Sequence, residues 1–555
     1  MFQHSRYKVT IMNMKLHTVI VLALTLTACG QKEKLPEWTG PQVFKPTTGV
    51  LDDKPGMLAK GFVTDATSGE GIADVVVSDG INCVKTGADG SYYLPADPGK
   101  CRTVFVITPA DYEPAMKDCI FDGYQHHALG TTQCVRHDFS LSKRKVSSDK
   151  FKALFVADIQ INKNGQFYDV AKEFFKGVGS LYGAEPLPTY MFSLGDCVYS
   201  TAGRDAVSQS MEDYKSFVAL SGVPTFNAIG NHDHFPQAWA SFTEATSGYV
   251  QALGPVNYAV NIGKIHVVIL DDMAWGEDAT KAEAFYDGFN DETLAFLKND
   301  LALVPAGKPV FVCLHVPITR YHDSYKSTTY RHAEFMNALS GRDVHVWYGH
   351  VHNNYNYVYN SSEISKYGIK SLESHSVVRS CGQLFQSGRI LSADGIPWSV
   401  IEVSVDGTDI RWHQKTFSYT CPNTSYKAAY PDDVLAYGPN QAGGPFKDPD
   451  TGVTKTDASM SDYVYCDPYM HDNLWKTPEW WENGRKVCDM EDMHNILGLE
   501  PLALWTYENI QKILYDASFQ YRYHLFRAKP TPGVKSGEVH VTDRFGEEYV
   551  RQISW

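Results

Sequence analysis

The chain has no excess of positive charge. Its 555 residues carry 50 lysines and arginines against 64 aspartates and glutamates, a formal net charge of −14. That balance excludes a general nucleic-acid-binding surface, which needs a basic face, but it leaves room for a local basic pocket around a phosphate. There is no CxxC pair and no Cys/His spacing of the zinc-finger kind, so small structural zinc modules are excluded. Internal repeats and low-complexity tracts are absent, which removes solenoids and biased tails. Beyond Cys29 no segment reads as a transmembrane helix. What is present, 43% apolar and 21% charged residues, is globular in composition. The length exceeds one hydrophobic core and predicts two to four domains.

The N-terminus stands apart from fold reasoning. From Met14 the stretch MKLHTVIVLALTLTACG has a short basic start, an apolar segment and then Leu26-Thr27-Ala28-Cys29. It resembles a bacterial lipoprotein signal with its lipobox. The resemblance implies cleavage before Cys29, lipidation of Cys29 and an exported protein. Gly30 is not the aspartate that retains such proteins at the inner membrane, so attachment to the outer membrane is expected. Export places the other cysteines in oxidising surroundings. Cys83, Cys101, Cys119 and Cys134 cluster early and allow three pairings, whereas Cys197 and Cys313 read as buried thiols in apolar runs.

After the signal (1–29), a polar, proline-bearing linker (30–54) precedes a region of short alternating strands (55–147). Asp89-Gly90, between two strand candidates, is a hairpin signal there. From 148 to 373 strands alternate with helices. In "YDVAKEFFKGVGSLYG" the residues Val170, Phe174 and Val178 recur at helical spacing. Residues 374–555 return to β-like runs with long Pro-, Asn- and Gly-rich connections. The expected fold class is α/β: a β-sandwich flanked by helices, with an N-terminal all-β sandwich and a mainly β C-terminal domain.

Five strand-like runs in the α/β region end in polar clusters. In order they are Asp158-x-Gln160; Gly195-Asp196-Cys197-Val198-Tyr199; Gly230-Asn231-His232-Asp233; His315; and Gly349-His350-Val351-His352. Each alone is ordinary. Together, at strand ends where ligands gather in α/β sheets, they point to one site. Two divalent ions about 3.5–4 Å apart can hold the attacking and leaving oxygens of a phosphate. Such a pair needs one carboxylate able to bridge, plus neutral imidazoles and amides, a donor set suited to Zn, Mn or Fe.

The five clusters resemble the calcineurin-like metallophosphoesterase family, whose pattern runs D-x-H, G-D, G-N-H-D/E, H, G-H-x-H, over roughly Phe151 to Asn353. The resemblance implies that Asp158, Gln160, Asp196 and His352 hold one metal. Asp196, Asn231, His315 and His350 would hold the second, with Asp196 bridging. His232 would serve the leaving oxygen or the developing charge, oriented by Asp233, and a metal-bound hydroxide would attack a phosphomonoester or phosphodiester. Gln160 departs from the pattern by offering only an amide oxygen. Tyr199 has the Gly-Asp-x-x-Tyr spacing by which purple acid phosphatases bring a tyrosinate to iron, so it is either a metal ligand or a pocket wall.

The flanks extend the resemblance. Gly61-x-Val63-x-Asp65 and Thr86-x-x-Asp89-Gly90-x-Tyr92-x-Leu94 resemble a carboxypeptidase-regulatory or transthyretin-like domain. The late segments HLFRAK and VTDRFGEEY look like the C-terminal domain of a secreted bacterial subset of the family. Arg320 and His322 are weaker candidates for phosphate contacts. Trp475, Trp480 and Trp481 read either as a sugar-stacking platform or as core. The competing function is a non-catalytic, glycan-binding surface lipoprotein on a degenerate core, which Gln160 alone favours.

Overall fold

The structure, a computed structural model, describes residues 49–161, 168–199, 204–234, 241–275, 285–322, 325–380, 398–420, 427–428, 430–439, 446–447, 454–455, 462–493 and 524–555. Cys29 and the signal lie outside the described residues. Among those described, no helix is long and apolar enough to cross a membrane.

The centre of the fold is set by strand β1 (Lys150–Val156). Its side chains alternate between two environments, as a pleated strand requires. Phe151, Ala153 and Phe155 enter one core, and Leu154 and Val156 enter another. The neighbouring β2 (Thr189–Leu194) alternates the same way, with Tyr190, Phe192 and Leu194 on the first face and Met191 on the second. β1, β2 and β3 (Thr225–Ala228) are parallel and in register. Their outer face is covered by α1 (Tyr168–Tyr182) and α2 (Arg204–Ala219). Helix α1 buries Ala171, Phe174, Phe175, Val178 and Tyr182, one stripe of a helical repeat.

A second, six-stranded sheet faces the first. Its order is β4 (Tyr258–Ile262), β5 (Ile265–Ile269), β6 (Val310–Cys313), β7 (Asp343–Tyr348), β9 (Ser371–Ser376) and β8 (Tyr355–Val358). Helix α3 (Asp291–Leu301) packs beside it. Asn290 caps its start and Asp291 and Glu292 occupy its first turn, where the helix dipole favours acids. Phe155 of the first sheet stacks on Trp347 of the second at 4.2 Å, and Phe192 stacks on Phe155 at 5.3 Å. This is the helix-flanked α/β sandwich expected from the alternation.

The first sheet has seven strands, and it draws them from well outside 148–373. Sequence places 399–416 in the C-terminal β region. In the structure β10 (Ser399–Asp406) pairs antiparallel with β1, and β11 (Asp409–Thr416) pairs with β10. At the opposite edge the hairpin Met116–Lys117/Ile120–Phe121 adds to β3.

The N-terminal module is all β. Two four-stranded sheets enclose Val63, Val77, Tyr92, Leu94, Val104 and Val106. Here the turn at Asp89-Gly90 differs from the expected hairpin. The strands beside it, Cys83–Lys85 and Ser91–Leu94, belong to different sheets, so the turn carries the chain across the sandwich. Gly90 sits at φ +78°, and a Cβ there would lie 2.3 Å from the Val63 carbonyl oxygen. Cys83, Cys101, Cys119 and Cys134 are free thiols in the structure.

The C-terminal module is also mainly β, with Val464, Cys466, Trp480, Phe526, Val539 and Ile553 in its core. Trp480 is fully buried, and Trp481 stacks on His540 at 4.6 Å, so these rings pack the module. Arg544 fastens the module to the second sheet. It donates to both oxygens of Glu373 (2.6 and 2.9 Å) and to Asp472 (2.8 Å), and it lies 4.7 Å over the Trp412 ring.

Candidate metal centre

The five polar clusters converge where the parallel strands of both sheets end. Asp158 and Gln160 follow β1, Asp196 follows β2, Asn231 and His232 follow β3, His315 follows β6, and His350 and His352 follow β7. The loops after β1 and β2 are zipped together by backbone bonds, from Asp158 N–H to the Gly195 carbonyl (3.2 Å) and from Gln160 N–H to the Asp196 carbonyl (2.8 Å). Five non-glycine residues here adopt left-handed backbone: Asp158 (φ 54°), Gln160 (50°), Asp196 (52°), His350 (66°) and His352 (60°). Such conformations cost energy and concentrate at working sites.

Asp196 lies at the middle. Its Oδ1 accepts from the His232 backbone N–H at 2.8 Å and lies 3.3 Å from His315 Nε2. Its Oδ2 accepts from Gln160 Nε2 at 3.1 Å. On one side, Asp158 Oδ1 is 3.1 Å from His352 Nε2, and Gln160 Nε2 is 3.4 Å from the same nitrogen. On the other, Asn231 Oδ1 is 3.0 Å from both His315 Nε2 and His350 Nδ1. The structure therefore brings together all seven expected ligands, in the two groups the resemblance implies.

Asp158 and Asp196 are buried. Burial raises both carboxyls, but neighbouring imidazoles outweigh it and hold them below the usual carboxylate range: His352 and then His315 for Asp158, His315 and then His232 for Asp196. Burial opposes the charged form of His315, yet Asp196, Asp158 and Asp272 push its pKa up to about 10. Nδ1 of His315 donates to the Leu194 carbonyl at 2.8 Å, which aims Nε2 into the site. Asp158, Asp196 and His315 offer donor atoms within 4.8 Å of one another, a cluster able to hold a metal ion. Two buried carboxylates, imidazole nitrogens and amide groups suit one or two divalent cations, which would take the place of the charge now on His315.

His232 reaches the site from its open side. Its side chain is 25% exposed and its Nε2 is 4.0 Å from Asp196 Oδ2. The Tyr199 ring packs on the His232 imidazole at 4.5 Å, which makes it a wall beside that histidine. Asp233 differs from its expected role of orienting His232. Its carboxylate accepts from the backbone N–H groups of Cys197 (3.2 Å), Val198 (3.0 Å) and Gly230 (2.9 Å), so it braces the loop carrying Asp196. Burial and then Asp196 push the Asp233 carboxyl up to about 7, against those three amides. Arg320 and His322 lie on the strand Thr319–His322, and their side chains fall outside those described.

Sequence reasoning passed over two acids one residue beyond β5, Asp271 and Asp272, and the histidine after the Gly-Asn-His-Asp turn, His234. All three are fully buried and bonded to the loops of the site. The pair of acids closing an apolar strand in VVILDD was the signal.

A second set, His345, Glu373 and His375, has donor atoms equally close. Those donors are already committed. Glu373 gives both oxygens to Arg544, His345 Nδ1 and His375 Nε2 hydrogen-bond each other at 3.2 Å, and His375 Nδ1 meets Asn356 Oδ1 at 3.0 Å. A cation there would sit against a guanidinium, so this cluster reads as packing.

Residues 57–144 match a family model described as the N terminal of calcineurin-like phosphoesterase. The match covers the N-terminal sandwich and none of the converging residues. No curated protein matches the chain. Among solved structures, the protein TT1561 of Thermus thermophilus is similar over 47% of this chain and 97% of its own, at 9% identity and a TM-score of 0.28. A 5'-nucleotidase precursor from the same organism is similar over 48% of this chain, at 10% identity and a TM-score of 0.26; this chain spans only 54% of its length. A cold-active protein-tyrosine phosphatase of a psychrophilic Shewanella is similar over 61% of this chain and 98% of its own, at 11% identity and a TM-score of 0.21.

Proposed function

We propose that this protein is a metal-dependent phosphoesterase with a dinuclear centre, acting on phosphomonoesters or phosphodiesters. One observation carries the reading: the two oxygens of Asp196 face two different ligand groups. Oδ1 lies toward His315, and Oδ2 toward Gln160. A carboxylate so placed can serve two ions at once. Divalent ions held there would supply positive charge for the phosphate oxygens and lower the pKa of water.

The chain's own residues divide the remaining work. Asp158, Gln160 and His352 close one side, and Asn231, His315 and His350 close the other. His232, exposed beside the site, hydrogen-bonds the departing or transferring oxygen and delivers a proton to it. Tyr199 narrows the approach and limits how the imidazole can turn.

Metal analysis of the purified chain should find close to two equivalents, and Asp196→Ala should lose both along with hydrolysis of chromogenic phosphate esters. A wild type that stays empty after incubation with Zn²⁺ or Mn²⁺ overturns the reading. Screening monoesters against diesters with each metal identifies the substrate class. The signal ending at Cys29 supports an outer-membrane lipoprotein, and Cys29→Ser should then shift the protein to the soluble fraction.

A further inference from the structure

The acids at the end of β5 stand outside the ligand set, yet each is bonded to a different loop of it. Asp271 Oδ2 is 3.0 Å from His234 Nε2, and His234 Nδ1 is 2.7 Å from the Gly230 carbonyl oxygen. Both ring nitrogens of His234 are thereby engaged, one by Asp271 and the other by the Gly230 carbonyl. Burial opposes a charge on His234, and Asp271 more than offsets it, so its pKa lies above the ordinary histidine value. The next residue, Asp272, accepts from the backbone N–H of His315 at 3.1 Å and of Val316 at 2.7 Å.

The two acids are themselves fixed. The Asp271 N–H donates to Asn257 Oδ1 (2.9 Å), its Oδ1 accepts from the Met273 N–H (3.0 Å), and its carbonyl accepts from Thr293 Oγ1 (3.0 Å). Asp272 gives its carbonyl to the Gly288 N–H at 2.8 Å. All the side chains of this group are fully buried, out of reach of substrate.

We propose that Asp271 and Asp272 are a positioning pair that sets the second metal position. Asp271, through His234, holds the turn bearing Asn231, and Asp272 holds the turn bearing His315. One strand end of the second sheet thereby fixes the 3.0 Å spacing between a ligand from the first sheet and a ligand from its own. The pair never touches a reacting atom; it acts through the loops, as groups behind metal ligands do. The inference rests on the proposed metal centre for its purpose, but its geometry does not depend on metal.

The test compares Asp271→Asn, His234→Gln and Asp272→Asn with Asp300→Asn in the full-length chain. Asp300 forms the same kind of buried pair, with His266 at 2.7 Å, but reaches no ligand loop. Titration with Co²⁺ should show two tight equivalents for the wild type and for Asp300→Asn. The other three variants should keep one and bind the second at least tenfold more weakly, with altered visible bands. Asp271→Asn and His234→Gln together should be no worse than either alone, because they break one link.

Hydrogen exchange of the metal-free chain supplies a second readout. Asp271→Asn and His234→Gln should speed exchange over 228–234, Asp272→Asn over 314–318, and Asp300→Asn over neither. Equal effects from Asp300→Asn, or no local change in exchange, would overturn the positioning pair. A wild type that holds no Co²⁺ defeats the proposed function instead, and the exchange comparison still decides the pair.

Discussion

In the proposed centre, single side chains separate holding metal from doing chemistry. The His232 imidazole stands outside the two groups of converging donors, with Nε2 4.0 Å from Asp196 Oδ2. His232→Ala should therefore keep both metals while kcat on phosphate esters falls on the order of 10²–10⁴-fold, the usual worth of a positioned proton donor. Metal loss in that variant would place His232 among the ligands. Gln160 raises the opposite question. Its amide nitrogen now donates to Asp196, and serving a metal requires its weaker oxygen to face inward. Chelator titration should strip the metal beside Asp158 first, and Gln160→His should make the two metals leave together.

Loops and strand ends explain both what sequence revealed and what it hid. The converging residues were legible because each motif is local: an apolar run, then a glycine or acid, then a donor. The reason for a glycine is less local. Gly195 has a left-handed backbone, but Gly230 is required by proximity, since a Cβ there would lie 2.3 Å from both the nitrogen and Oδ1 of Asp196. Gly230→Ala should weaken metal binding by about tenfold or more without removing a ligand. Isothermal titration of the chelated chain would measure it, and unchanged affinity would mean the loops can yield.

The left-handed backbones of Asp158 and Asp196 could not be read from sequence, because only contacts made elsewhere in the fold hold a non-glycine residue in that region. Asp233 was misjudged for a related reason. Adjacency to His232 suggested a partner, while the chain turned its carboxylate toward three amides of the neighbouring loop. The strands at 399–416 had a clear β pattern, but pattern does not name a pairing partner, and through β10 they join β1.

For the molecule as a whole, buried histidines set the tolerance to acid. Burial, then His127, pushes the His137 imidazole down to about 4, and burial with His345 holds His375 well below its ordinary value. Above pH of about 6.5 these groups are neutral in both folded and unfolded chains. As pH drops below that value the unfolded chain takes up protons that the folded chain refuses. Stability then falls by about 1.4 kcal/mol per pH unit for each such histidine until its folded pKa is reached. His137→Gln should therefore lose less of its urea midpoint than the wild type between pH 7 and pH 5. Equal losses in the two chains would show that His137 is protonated without cost.

The pairing of β10 with β1 also governs when the site can exist. Asp158 ends a strand whose antiparallel neighbour lies some 250 residues later, from Lys150↔Asp406 to Phe155↔Ile401. A chain delivered from its N-terminus exposes β1 with one flank bare until residue 406 has arrived. Contacts of such separation close slowly, and the waiting edge is open to wrong partners. Completion of the site is thus a late event in the life of the polypeptide, and a chain cut short before 399 would carry all five polar clusters and still lack the strand that flanks β1.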